Sequence, residues 1–116
     1  MSTRHHTIDY LELSVTDMAR AKAFYAAAFG WAFTEYGPGY AGIQGTPREQ
    51  GGLALSESVR GGGPLVVLFS DDLEASHAAV IEAGGTILKP PFEFPGGRRF
   101  RFADTEGNEL AVWCEL

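Results

Sequence analysis

The sequence predicts an α+β domain built from two βαβββ modules, residues 7–58 and 64–116. Each half opens on a short apolar run of strand-forming residues. Each then continues into an amphipathic stretch with an acidic residue before it and a glycine after it, as helices with an N-cap and a left-handed C-cap require. The two stretches superpose at one constant offset of 55, Asp17 on Asp72 and Gly30 on Gly85. The same offset carries Gly52 onto Gly107, and three coincident punctuation points predict a duplication.

In chain order, "IDYLELSV" (8–15) reads as the first strand. Ile8, Tyr10, Glu12 and Ser14 share one face of it, while Leu11, Leu13 and Val15 form the stripe that packs under a helix. "SVTDMARAKAFYAAAFG" (14–30) holds the first helix, with Phe24, Tyr25 and Phe29 on its buried side and Trp31 at its exit. Three shorter strands follow, at about "AFTEYG", "YAGIQG" and "GGLALSE". "PLVVLF" (64–69) opens the second half, with Leu65, Val67 and Phe69 on the face that corresponds to Tyr10 and Glu12. The helix in "FSDDLEASHAAVIEAGG" places His77 in line with Lys22, toward solvent. "TILKPPFEF", "RRFRFAD" and "ELAVWCE" complete the half. Pro90, Pro91 and Pro95 with Gly96 and Gly97 make 89–97 a poor continuous strand, either a rim loop over a ligand or a plain edge connection.

Composition narrows the class of function. A chain of 116 residues is one domain's worth. The net charge of -6 disfavours nucleic acid and anionic lipid as partners. No apolar run is long enough to span a bilayer, and "MSTRHHT" lacks the apolar core of a signal peptide, which predicts a cytoplasmic protein. Cys114 is the single cysteine, so neither a disulfide nor a multi-cysteine metal site is available within the chain, and core packing is its expected role.

"VTDMARAKAFYAAAFGW" and "FADTEGNELAVW", set in these paired modules, resemble the vicinal oxygen chelate superfamily. That superfamily includes glyoxalase I, extradiol dioxygenases, fosfomycin-resistance enzymes and bleomycin-binding proteins. The resemblance spans nearly the whole chain. It implies that the modules curl into a cup-shaped mixed sheet with the helices outside, often completed across a homodimer. It also implies where metal ligands would stand, one on the first and one on the last strand of each module. Carried onto this chain, those positions fall on Tyr10, Leu65 and Ala111, and by the offset of 55 on about Ser56. Leu65 and Ala111 have no donor atom, and Tyr10 and Ser56 carry neutral hydroxyls, so no resident cofactor is expected. A divalent ion remains conceivable only at a shifted site, where Glu12 and Glu109 would favour magnesium or manganese.

The expected cup is lined by Tyr10, Glu12, Leu65, Val67, Phe69, Ala111 and Trp113, an apolar and aromatic wall with one acid and one phenol. Such a wall suits a small organic molecule. Glu12 is the catalytic candidate, because a carboxyl desolvated there would be an acid or base near neutral pH; its other reading is a structural acid bonded to Tyr10 or to an arginine. Arg99 and Arg101 alternate with Phe100 and Phe102. Facing inward, they would bind a ligand carboxylate or phosphate; facing outward, they and Arg98 are a solvated sheet face. His5 and His6 fall in the terminus before the first strand, and Asp104 and Asn108 have turn chemistry around Gly107.

The reading that leads is a metal-independent small-molecule binder, comparable in mode to the bleomycin-binding members and dimeric. The alternative is a glyoxalase-type lyase or dioxygenase-like enzyme that uses Glu12, with or without a divalent metal. A third reading is an association domain whose cup is filled by its own side chains.

Overall fold

Asp17 and Asp72 start the two helices in the same way. In this computed structural model, which describes residues 5, 8–59 and 64–116, their carboxylates accept hydrogen bonds from the backbone N–H groups of Arg20 (3.0 Å) and Ala75 (3.1 Å). His6 and residue 7, where the first module was expected to begin, lie outside the described residues. Strand β1 (Leu11–Val15) leads into helix α1 (Met18–Phe29), then β2 (Phe33–Glu35), β3 (Tyr40–Ile43) and β4 (Gly51–Leu55). The same order returns as β5 (Val66–Phe69), α2 (Leu73–Ala83), β6 (Thr86–Phe94), β7 (Gly97–Ala103) and β8 (Glu109–Glu115). The α+β class with two four-stranded mixed sheets is therefore as the sequence predicts.

Within each half the first and last strands pair in parallel and the rest are antiparallel, in the orders β1-β4-β3-β2 and β5-β8-β7-β6. No strand of one sheet is hydrogen-bonded to the other, so among the described residues the chain forms two sheets rather than one continuous cup. Both sheets turn their apolar faces to the helices. Val15, Phe24, Tyr25, Leu53, Val80, Phe100, Phe102 and Leu110 belong to one buried cluster. Phe24 and Phe29 of α1 lie 6.1 and 5.7 Å from Phe102 of the second sheet. The two halves thus share a core.

The β7–β8 turn fastens the halves together. Glu106, whose side chain is wholly buried, accepts hydrogen bonds from the Thr16 and Asp17 backbone N–H groups (2.7 and 2.9 Å), the Thr16 hydroxyl (3.0 Å) and Arg20 Nε (2.7 Å). Asp104 accepts from the Tyr25 hydroxyl (2.7 Å) and from the Glu106 and Asn108 backbone N–H groups (2.8 Å each). Asn108 donates onward to the Ser14 carbonyl (2.8 Å). The structural role expected of Asp104 and Asn108 is what the geometry displays, and Glu106 is the buried acid that the turn pattern did not reveal.

Three expectations are corrected. Gly84 (φ 104°), not Gly85, is the left-handed cap of α2; Gly85 is small because a Cβ there would press on Val80 and Phe24. Residues 89–94 continue as strand despite Pro90 and Pro91. They can do so because β6 is a sheet edge and shifts register between Ile87 and Lys89 and again between Lys89 and Phe92, so the missing N–H groups interrupt no ladder. His77 does not project into solvent: it is half-buried, with its ring edge-on to Phe100 at 5.2 Å.

The repeat itself needs one adjustment. Glu12 pairs with Gly52, and Val67, its counterpart at offset 55, pairs with Ala111, so the last strands match from 52 to 111, an offset of 59. The extra residues lie in the hairpin: Thr34 pairs with Gly42, 8 positions on, whereas Lys89 pairs with Arg101, 12 positions on. Gly52 and Gly107 are consequently not equivalent. Among the described residues no helix is long and apolar enough to cross a membrane.

Candidate functional site

Alternation along the strands gives each sheet one face turned away from the helices. On the first sheet this face is a row of Glu12, Gly52, Gly42 and Thr34, flanked by Tyr10 on one side and by Ser14 and Tyr40 on the other. The Tyr10 and Tyr40 hydroxyls are 2.6 Å apart, and the Tyr36 hydroxyl donates to Glu49 Oε1 at 2.5 Å. Both interactions lie over bare backbone. A Cβ on Gly52 would overlap the Tyr40 and Tyr10 hydroxyls, and one on Gly42 would overlap the Glu49 carboxylate. Burial, then hydrogen bonds with Tyr10 and Glu12, raise the Tyr40 pKa, so this phenol keeps its proton near neutrality. Hydrogen bonding to Glu49 raises that of Tyr36. The first face is an array of phenols and carboxylates.

The second sheet's open face has another character. Ala111 lies between Val67 and Arg101, and Trp113 between Phe69 and Arg99. Val67 and Phe69 are exposed, and Phe69 meets the Trp113 ring edge-on at 5.3 Å. Phe94 is 6.2 Å from Trp113. Arg99 carries its guanidinium 5.4 Å from the centroid of Phe92 and 5.6 Å from that of Phe94, and Lys89 Nζ stands 4.3 Å over Phe92. Arg101 forms an ion pair with Glu109. The register settles the open choice about the basic segment: Arg99 and Arg101 share the face of Ala111 and Trp113, whereas Arg98 points the other way and pairs with Glu74 at 2.5 Å.

The structure divides the lining expected from the sequence. Tyr10 and Glu12 are on the first sheet, and Val67, Phe69, Ala111 and Trp113 are on the second, with half-buried Leu65 just before β5. Glu12 is exposed, so within one chain it lacks the apolar enclosure that its role as an acid or base requires. Ala111 is fully buried. Tyr36, Tyr40, Glu49, Phe92 and Phe94 were not singled out in the sequence. The alternation Tyr40, Gly42, Gln44 could have disclosed Tyr40, but a four-residue strand gives little period to read.

The profile of the Glyoxalase/Bleomycin resistance protein/Dioxygenase superfamily matches residues 7–112. The chain belongs to this superfamily. A glyoxylase-like domain-containing protein from Didymella fabae is 30% identical, over 93% of this chain and 93% of that relative. Two mycobacterial relatives are longer, and the chain spans 46% of their length. Among solved structures, a glyoxalase-related enzyme from Fulvimarina pelagi superposes with a TM-score of 0.80 at 21% identity, covering 95% of this chain and 88% of that one. TnmS3, an antibiotic binding protein from Streptomyces sp. CB03234, superposes with a TM-score of 0.69 at 22% identity, covering 95% and 96%. These likenesses establish the superfamily fold.

The donor set does not fit the metal that the superfamily implies. The strand register replaces Ser56 by Gly52 as the counterpart of Ala111, so three of the four positions, Leu65, Gly52 and Ala111, have no side-chain lone pair. Ser56 is exposed just beyond β4. The fourth position, Tyr10, is engaged with Tyr40. The shifted pair is also unfavourable, because Glu109 is already held by Arg101. Among the described residues no three His, Cys, Asp or Glu side chains converge on one point.

Proposed function

We propose that this protein binds a small organic molecule without a resident metal, in a cup completed by a second copy of the chain. The observation that carries the reading is the replacement of ligand positions by Leu65, Gly52 and Ala111 beside an accessible aromatic wall of Phe69 and Trp113. TnmS3, described as an antibiotic binding protein, supports small-molecule binding as a function of this fold. Two further features support the second copy. Among the described residues no further strand covers the open face of either sheet, and the faces differ in charge, with Glu12 and Glu49 on one and Lys89, Arg99 and the Glu109-paired Arg101 on the other. A cup formed between the first sheet of one copy and the second sheet of another would reunite the lining residues. We place the protein in the cytoplasm, with neither nucleic acid nor membrane as partner, on the net charge of -6 and the lack of a spanning run in the sequence.

Metal analysis of protein purified without chelator tests this reading. Substoichiometric metal is the expected result; a stoichiometric ion lost in Glu12→Ala would overturn it. A second reading rests on Glu12 beside the Tyr40 hydroxyl: a carboxylate next to a phenol held protonated can move a proton and stabilise the oxyanion that results, as a glyoxalase-type enzyme requires. Turnover of an α-ketoaldehyde hemithioacetal that disappears in Glu12→Gln would establish it.

A further inference from the structure

Among the described residues, the open face of the second sheet carries an arginine with no ion pair within its own chain. Arg20, Arg48, Arg98 and Arg101 each pair with a carboxylate, from Glu106, Asp9, Glu74 and Glu109 respectively. Among the described residues Arg99 alone of the arginines has no such partner. Its surroundings are aromatic instead: Phe92 and Phe94 lie 5.4 and 5.6 Å from its guanidinium carbon, and Trp113 is its partner on β8. Its Nε atom is buried and has no hydrogen-bond acceptor among the described residues.

An arginine in this setting is incomplete. Rings attract a guanidinium but accept no proper hydrogen bond along its edge, where the N–H donors point. A buried donor left unmade is unfavourable, and a native protein normally satisfies it. Arg101 shares the face and also has a buried Nε without an acceptor, but its charge is already matched by Glu109. The unmatched positive charge on this face is therefore Arg99, with Lys89 Nζ adding a second over the Phe92 ring.

Resting on the small-molecule reading above, we infer that Arg99 is the specificity-determining anchor for an organic carboxylate: its planar fork takes the carboxylate, and the flat apolar body of the ligand lies against Trp113 and Phe94. The fork matches a carboxylate in two parallel hydrogen bonds, and a low-dielectric aromatic surround strengthens them. At this anchor a cationic guest would meet Arg99 and Lys89 as like charges and is disfavoured there. The ligand class is thus a flat, apolar monoanion.

Calorimetric titration of the 116-residue protein with three matched probes tests this: naphthalene carboxylate, naphthyl methanol, and naphthyl trimethylammonium. The carboxylate is expected to bind about tenfold or more tightly than the alcohol, and the ammonium not to bind. Arg99→Gln should remove this preference by weakening carboxylate binding far more than alcohol binding, and Arg99→Lys, which keeps the charge without the fork, should fall between. Arg98→Gln makes the same change in net charge on the opposite face and should retain the preference. Melting curves of the variants check that each is folded. The inference is overturned if Arg99→Gln keeps the preference, or if the alcohol or the ammonium binds the unmodified protein as tightly as the carboxylate; the small-molecule cup then stands without an anionic anchor. Failure of all three probes to bind overturns both readings together. A preference that emerges only in Glu12→Gln would mean that Glu12 of a second copy already occupies Arg99, which also overturns it.

Discussion

Arg20 of α1 and Glu106 of the β7–β8 turn, 86 positions apart, meet at 2.7 Å. Burial alone would push the Glu106 carboxyl up. The Arg20 guanidinium and the backbone N–H groups of Asp17 and Thr16 outweigh that and bring its pKa down to about 2. The acid thus links the first half of the chain to the second, and its protonation couples that link to pH.

Because the folded pKa is below the ordinary 4.5, Glu106 contributes stability that is fully present above about 4.5 and is lost as pH falls toward about 2. Glu106→Gln should cost about 2–4 kcal/mol at neutral pH, because a buried acceptor site is half replaced by donors facing donors. Its urea midpoint should vary less than that of the unmodified protein between those two pH values. Equal slopes in both proteins would exclude Glu106 as the source.

Tyr25→Phe removes the hydroxyl that donates to Asp104 at 2.7 Å while keeping the ring stacked on Trp31 at 4.5 Å. Asp104 retains its backbone donors. A loss of about 1–2 kcal/mol is expected from the urea midpoint, with the near-ultraviolet spectrum of the aromatic cluster preserved.

Gly52→Ala should cost about 1–3 kcal/mol, since the new methyl group overlaps the Tyr40 and Tyr10 hydroxyls. Replacing Tyr40 by alanine in the same chain removes much of that overlap. The double variant should therefore be more stable than the sum of the single losses predicts; additivity in a double-mutant cycle would refute the close approach.

In the proposed dimer, facing of the acidic and basic sheets would make association salt-sensitive. Glu12→Lys with Glu49→Lys should shift sedimentation toward the monomer, and added salt should do the same to the unmodified protein. A chain that stays monomeric at all concentrations tested would remove the second copy from the cup.

Much of the fold was legible because its cues are local. Caps at Asp17, Asp72 and Gly30, the Leu13 and Val15 part of the apolar stripe (Leu11, expected with them, is exposed), and the alternation in "RFRF" each depend on neighbours within a few residues. The site was less legible because its geometry is long-range. The constant offset of 55 holds through the helices but fails beyond the longer β6–β7 hairpin, so the counterpart of Ala111 was misplaced at Ser56. Whether Arg99 faced the open side depended on strand register, which sequence spacing does not fix. Glu106 looked like an ordinary turn residue because its partners, Thr16, Asp17 and Arg20, come from the far end of the chain.

Aromatic rings from the first half's helix seat on the second half's sheet. Neither half therefore encloses an interior of its own, and the molecule cannot shed one copy of the duplication without inventing a replacement for it. The two similar halves are thus packed as one unit around a common set of rings.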